Sequence, residues 1–148
     1  MSAPVKHSLA RIAHRLAAFA RDWPKITALL LGLASATGFA PLGLWPITLF
    51  ALSLLMLLLA AAPTQRRALL LGWVFGVGHF TLGLNWIATA FTYQAAMPAG
   101  LGWIAVVLLS LYLGVYPALA AWGAWWLAQR PSHLRHPREG GDPTPAGA

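Results

Sequence analysis

The stretch ITALLLGLASATGFAPLGLWPITLFALSLLMLLLAAAPTQ, residues 26–65, contains no Asp, Glu, Lys or Arg. Neither does ALLLGWVFGVGHFTLGLNWIATAFTYQAAMPAGLGWIAVVLLSLYLGVYPALAAWGAWWLAQ, residues 68–129. Only the pair Arg66-Arg67 separates them. A soluble domain of this size needs charge on its solvated faces. The simplest solvent for such runs is hydrocarbon, which a helix crosses with roughly 20 apolar residues. The expected fold is therefore all-α: a multi-pass membrane helical bundle of about four transmembrane helices, preceded by a basic amphipathic helix.

Composition agrees with that reading. The chain has 148 residues, 59% of them hydrophobic and eight of them Trp, and its mean hydropathy is positive. One domain is the natural expectation. A formal charge of +7 could serve nucleic acid, but its distribution argues otherwise. Lys6, Arg11, Arg15, Arg21 and Lys25 precede the first apolar run, and Arg130, Arg135 and Arg138 follow the last. Basic residues at the edges of apolar runs are a topology signal, so no nucleic-acid partner is expected.

The absence of Cys excludes disulfides, thiolate metal sites and a cysteine nucleophile within these residues. His7, His14, His79, His133 and His136 are scattered, with no carboxylate cluster beside them, so neither a metal nor a cofactor is expected. Both Asp residues lie outside the apolar runs, which leaves a Ser-His-Asp triad without support.

Residues 1–25 read as the basic amphipathic segment. Leu9, Ile12, Ala13, Leu16, Phe19, Ala20 and Trp23 recur at helical spacing, which suits a helix lying on a membrane surface; a frayed terminus is the competing reading. Residues 26–128 form the transmembrane domain, with spans expected at about 26–40, 44–62, 68–91 and 101–128. Pro41 and Gly43 break the first from the second, Pro63 ends the second, and Pro98 marks the next turn. A signal peptide competes for the first run, through its basic leader and Ala34-Ser35-Ala36, but further long apolar runs follow it. Residues 129–148, rich in Pro and Gly, read as a disordered polar tail. The 41–43 and 92–100 connections carry no charge, whereas both chain ends and the 63–67 loop are basic, so both termini are expected in the cytoplasm.

The third span carries the densest pattern, GWVFGVGHFTLGLNW, residues 72–86. Gly72, Gly76 and Gly83 share one helical face, where small residues let another backbone approach. Plain helix packing accounts for them most simply. His79 is either an interhelical hydrogen-bonding group or a lipid-headgroup contact. Asn85 and Trp86 stand near the non-cytoplasmic interface, where an amide and an indole suit either packing or headgroups.

Two segments in combination resemble a known family. GLASATGFAPLGLWPITLFALSLLMLLL, residues 32–59, places Phe-Ala-Pro before a Trp-Pro that opens the next helix. RALLLGWVFGVGHFTLGLNWIATAF, residues 67–91, is followed by Met97-Pro98 and by an apolar span with Leu111-Tyr112-Leu113 and Tyr116. Residues 26–128 are thereby similar to the N-terminal membrane part of apolipoprotein N-acyltransferase. The resemblance implies a bacterial inner-membrane protein whose family moves an acyl chain from phospholipid to the amino group of a lipoprotein's diacylglyceryl-cysteine. Phospholipid and lipoprotein are then the implied partners.

The resemblance further implies a Glu-Lys-Cys triad in a nitrilase-like domain, in which Cys forms an acyl thioester, Glu acts as base and Lys stabilises the oxyanion. Here the sequence departs from the family. With no Cys, a single Glu at 139 and Lys at 6 and 25, it offers no catalytic residue. The motif HPREGGDP, residues 136–143, resembles translated bacterial intergenic repeat. The expectation is an N-terminal fragment from an interrupted frame, inactive alone, its catalytic part supplied by a separate chain if at all. The other expectations are a membrane scaffold that uses the glycine face, or a transporter subunit.

Overall fold

The computed structural model describes residues 3–39, 42–93 and 98–129. The expected tail beyond Gln129, with His133 and His136, lies outside the described residues, as does Met97. Within them the chain is helical and contains no strand. In order come α1 (Ala3–Asp22), α2 (Pro24–Ala36), α3 (Trp45–Ala60), α4 (Gln65–Gly83), α5 (Asn85–Thr92), α6 (Ala99–Leu113) and α7 (Val115–Ala128).

Local chemistry sets the boundaries. Pro24 and Pro46 lie in the first turns of α2 and α3, where a missing N–H costs nothing. Thr64 caps α4, its hydroxyl accepting from the Arg67 N–H at 3.3 Å. α2 ends in a tightened turn: the N–H groups of Thr37, Gly38 and Phe39 bond the carbonyls of Ala34, Ser35 and Ala36 at 3.2, 3.2 and 3.3 Å, and the Thr37 hydroxyl also donates to Ala34 at 2.7 Å. Gly43, at φ 63°, takes the left-handed conformation in the turn that follows.

Two apolar helical runs, Gln65–Thr92 (28 residues) and Gly100–Ala128 (29 residues), are long enough to cross a membrane. Each contains a break, at Leu84 and Gly114 respectively. Pro117, in the first turn of α7, has no N–H to return to the preceding turn, which fits a break there. The first two expected spans are shorter. α2 has 13 residues and α3 has 16. At about 1.5 Å per residue these reach about 20 and 24 Å, less than the roughly 30 Å of a bilayer's hydrocarbon.

α4 is the central helix. α2, α6 and α7 pack on it, α3 packs chiefly on α2, and α5 packs on α6. Ala28, Leu55, Leu59, Ala62, Ala68, Leu71, Phe75 and Ala121 form the core, joined by Leu31, Leu58, Val74 and Trp125. In α2 the buried set is Ala28, Gly32, Ser35 and Ala36, and in α3 it is Ala51, Leu55 and Leu59, each one stripe of a helix. The outer faces are apolar and exposed, from Phe50 and Leu57 on α3 to Leu108, Leu119 and Leu127 on α6 and α7. An apolar exterior of this extent is what a lipid-immersed bundle presents.

Candidate functional site

The polar centre of the bundle joins α2, α3 and α4. Ser35 is 1% exposed, and its Oγ lies 2.8 Å from the Gly32 carbonyl and 2.7 Å from Nδ1 of His79. A hydroxyl has one hydrogen to give. Given to Gly32, it leaves His79 Nδ1–H donating to Oγ and the lone pair on Nε2. Given to Nδ1, it leaves the imidazole proton on Nε2. Thr48, from α3, donates to the Ser35 carbonyl at 2.7 Å and so adds a third helix.

Aromatic rings surround the imidazole. Phe75 stacks on it at 6.2 Å between centroids, and Phe39 and Phe80 meet it edge-on at 5.7 and 5.2 Å. A serine beside a histidine has the composition of a nucleophile and its base. Here the hydroxyl is buried between packed helices, and its arrangement is that of an interhelical clamp.

The glycines serve two seams. A Cβ on Gly72 would stand 2.5 Å from the Ala121 Cβ and 2.6 Å from the Pro117 carbonyl; one on Gly76 would strike the Pro117 ring. These two glycines therefore meet α7 of the same chain, so the face on which a scaffold reading depends is already covered. Around Gly83 there is open space, because a Cβ there would meet nothing within 4 Å. The tighter seam joins α2 to α4. A Cβ on Gly32 would fall on the Phe75 carbonyl oxygen, and one on Gly78 would lie 2.6 Å from the Leu29 carbonyl. Sequence reading missed Gly32 and Gly78. The signal for the first was the spacing Ala28, Gly32, Ser35, Ala36, a small-residue stripe that matches two turns of helix.

Asn85 and Trp86 open α5 and are exposed, Trp86 at 63%. His79 instead is half-buried in the α2–α4 seam. The three are not one constellation. From Arg67 to Trp86 the chain climbs about 28 Å at helical rise, close to the thickness of bilayer hydrocarbon.

Three indoles carry links that spacing alone did not reveal. Trp125 Nε1 donates to the Ala62 carbonyl at 2.9 Å, Trp73 Nε1 to the Leu111 carbonyl at 3.1 Å, and Trp122 Nε1 to Gln65 Oε1 at 3.4 Å. The first satisfies a carbonyl just past the end of α3; the second does so beside the break at Gly114. No group of three or more metal-ligating side chains occurs among the described residues.

Comparison with known proteins places these helices. Residues 31–137 match the family model described as the apolipoprotein N-acyltransferase N-terminal domain. The apolipoprotein N-acyltransferase of Nitrosomonas europaea is 38% identical over 97 residues, covering 66% of this chain and 20% of that protein. The enzyme of the same name from Shewanella oneidensis is 32% identical over 123 residues (78% of this chain, 23% of that protein), and that of Azotobacter vinelandii 36% over 115 (76% and 22%). The chain spans about a fifth of the length of the curated relatives it matches.

Proposed function

The chain belongs to the family of apolipoprotein N-acyltransferase N-terminal domains, and from that premise we propose that it is the membrane platform of a lipoprotein N-acyltransferase. In this reading α2, α3, α4–α5 and α6–α7 are four membrane segments of a bacterial inner-membrane protein. The ends bearing Lys25, Arg66 and Arg67 face the cytoplasm, as does the end of α7. The two short segments reach only part of the way across, and the turn between them sits within the apolar layer. Phospholipid supplies the acyl chain and a lipoprotein N-terminus receives it.

These 148 residues hold no thiol on which an acyl thioester could form. Their part is therefore positional: Gly32, Gly72, Gly76 and Gly78 set the helix seams, the His79–Ser35 clamp fixes them, and Asn85 and Trp86 meet headgroups at the far interface. The catalytic Glu, Lys and Cys belong to a further part, in the same or a separate chain. The observation that carries the reading is the family match over the same residues that form the apolar helices.

The test is a transplant. Residues 31–128 replace the matching segment of the Nitrosomonas europaea relative, and the hybrid is expressed in a bacterium depleted of its own N-acyltransferase. Mass spectrometry of lipoprotein N-terminal peptides then separates two-chain from three-chain forms. The expected result is three-chain lipoprotein with the hybrid and two-chain lipoprotein with the 148 residues alone. A membrane-inserted hybrid that leaves lipoproteins two-chained refutes the platform, as does full acylation by the 148 residues alone. Reporter fusions after Tyr93 and Gln129 check the orientation independently, and a cytoplasmic signal at Tyr93 refutes it.

A further inference from the structure

Among the described residues none of helix α1 belongs to the core, and α1 packs against α2. Leu16 is 63% exposed and Trp23 57%, with Phe19 exposed between them. At 100° per residue Leu16, Phe19, Ala20 and Trp23 fall within an arc of about 100°. Arg11, Arg15 and Arg21 lie outside that arc; they and Lys25, in the first turn of α2, are exposed. Against these cations the segment carries one acidic residue, Asp22.

The same end of the bundle carries more positive charge. α2 and α4 run in the same direction: Ala28 shares the core cluster with Ala68, Leu71 and Phe75, and Ser35, further along α2, meets His79, further along α4. The start of α2, with Lys25, therefore lies at the same end as Arg66 and Arg67, which are exposed. An apolar stripe next to a belt of cations fits a surface that offers both hydrocarbon and negative charge.

We propose that α1, with Arg66 and Arg67, is a clamp for anionic phospholipid: the stripe Leu16–Phe19–Trp23 sinks into the boundary between headgroups and acyl chains, while Arg15, Arg21, Lys25 and the arginine pair hold acidic headgroups. Inorganic phosphate could neutralise the cations but would leave the apolar stripe in water. An acidic protein would have to cover a stripe that starts at the membrane boundary itself. The bilayer's own surface satisfies both halves at once. The clamp would orient the bundle and make its seating depend on lipid charge. The proposal rests on the chain lying in a bilayer.

The absence of Cys makes the experiment simple, because one introduced thiol is the only one. The full chain carrying Ala20→Cys is labelled with an environment-sensitive fluorophore and reconstituted into vesicles. These are phosphatidylcholine alone, or phosphatidylcholine with phosphatidylglycerol. A quencher attached to lipid acyl chains reads insertion. Quenching is expected in the phosphatidylglycerol vesicles at low salt, with loss at high salt and in phosphatidylcholine alone. Arg15→Gln and Arg21→Gln should each lower the inserted-to-free ratio about fivefold. Free phosphate in solution should act no differently from salt of the same ionic strength. Equal quenching in both vesicles overturns the role of charge, and a label in water in both overturns the clamp. A second chain labelled at Leu57→Cys, on the outer face of α3, reports the bilayer separately. Quenching there in both vesicles, together with a solvated label at position 20, refutes the clamp alone. A solvated label at 57 refutes the membrane reading and the clamp with it.

Discussion

Substituting alanine for Gly32 adds one methyl group where, among the described glycines, another helix's backbone comes nearest. Its Cβ would fall on the Phe75 carbonyl oxygen and lie 3.0 Å from the His79 N–H nitrogen. Neither obstacle is the end of a flexible side chain; both belong to the α4 backbone, so α2 must move as a body. Overpacking of this kind costs about 1–3 kcal/mol. The shift also stretches the 2.7 Å contact between Ser35 and His79, and the loss of such a bond costs about 0.5–1.5 kcal/mol. Alanine returns about 0.5–1 kcal/mol through its better helix propensity. The net expectation is destabilisation by about 0.5–4 kcal/mol.

The same substitution at Gly123 meets nothing within 4 Å and keeps only the propensity gain. The two variants should therefore shift in opposite directions in denaturant unfolding from mild-detergent micelles, followed by circular dichroism. Gly32→Ala within about 0.5 kcal/mol of the parent, or shifted in the same direction as Gly123→Ala, refutes the close approach of α2 and α4.

Gly76→Leu should disturb α7 more than Gly83→Leu, since the first meets the Pro117 ring and the second open space; protease protection of the α6–α7 segment in micelles separates them. In a double-mutant cycle, Ser35→Ala and His79→Phe should show a coupling of about 0.5–1.5 kcal/mol, whereas Ser53→Ala with His79→Phe should show none, because Ser53 returns its hydrogen bond to Leu49 in its own helix. Trp125→Phe, which deprives the Ala62 carbonyl of its donor, should cost about 1 kcal/mol, and Trp122→Phe, with an exposed 3.4 Å contact, close to nothing. Equal losses in unfolding midpoint would contradict that assignment.

Much of the fold was legible because its signals are one-dimensional. Runs free of charge marked the apolar helices, Pro24, Pro46, Pro63 and Pro98 marked their limits, and the period of residues 9–23 marked a helix. What stayed hidden depends on which faces meet. After Ala36 the N–H groups of Thr37, Gly38 and Phe39 turn back to carbonyls three residues earlier, a tightening that hydropathy does not register, so the first segment appeared longer than its 13 residues. The break at Gly114 had a sequence sign in Pro117, three residues on; Leu84 has none. The glycine face of α4 was readable at Gly72 and Gly76, but whether a partner lies opposite Gly83 depends on the path of a different helix. The Ser35–His79 pair spans 44 positions, and each residue alone had a plain packing explanation.

The polar groups show how such a bundle can be both apolar and specific. In hydrocarbon each hydroxyl and indole must find a partner within the protein. Thr27, Ser53, Thr92 and Ser110 do so cheaply, by bonding carbonyls of their own chain three or four residues back. Such bonds say nothing about which helix lies alongside. The cross-helix bonds do, and they fall at separate heights. Ser35–His79 and Thr48 to the Ser35 carbonyl lie toward the end where α2 stops; Trp125 to Ala62 lies toward the opposite end, where α3 stops. Bonds at both ends of α3 fix its register against α2 and α7, which apolar contact alone would leave free to slide. The α5–α6 hairpin is joined to α4 differently, by Trp73 to Leu111 next to a helix break. Thus the short elements also carry bonds that set their register. Their 20 to 24 Å of helix would otherwise be the easiest to displace along the membrane normal.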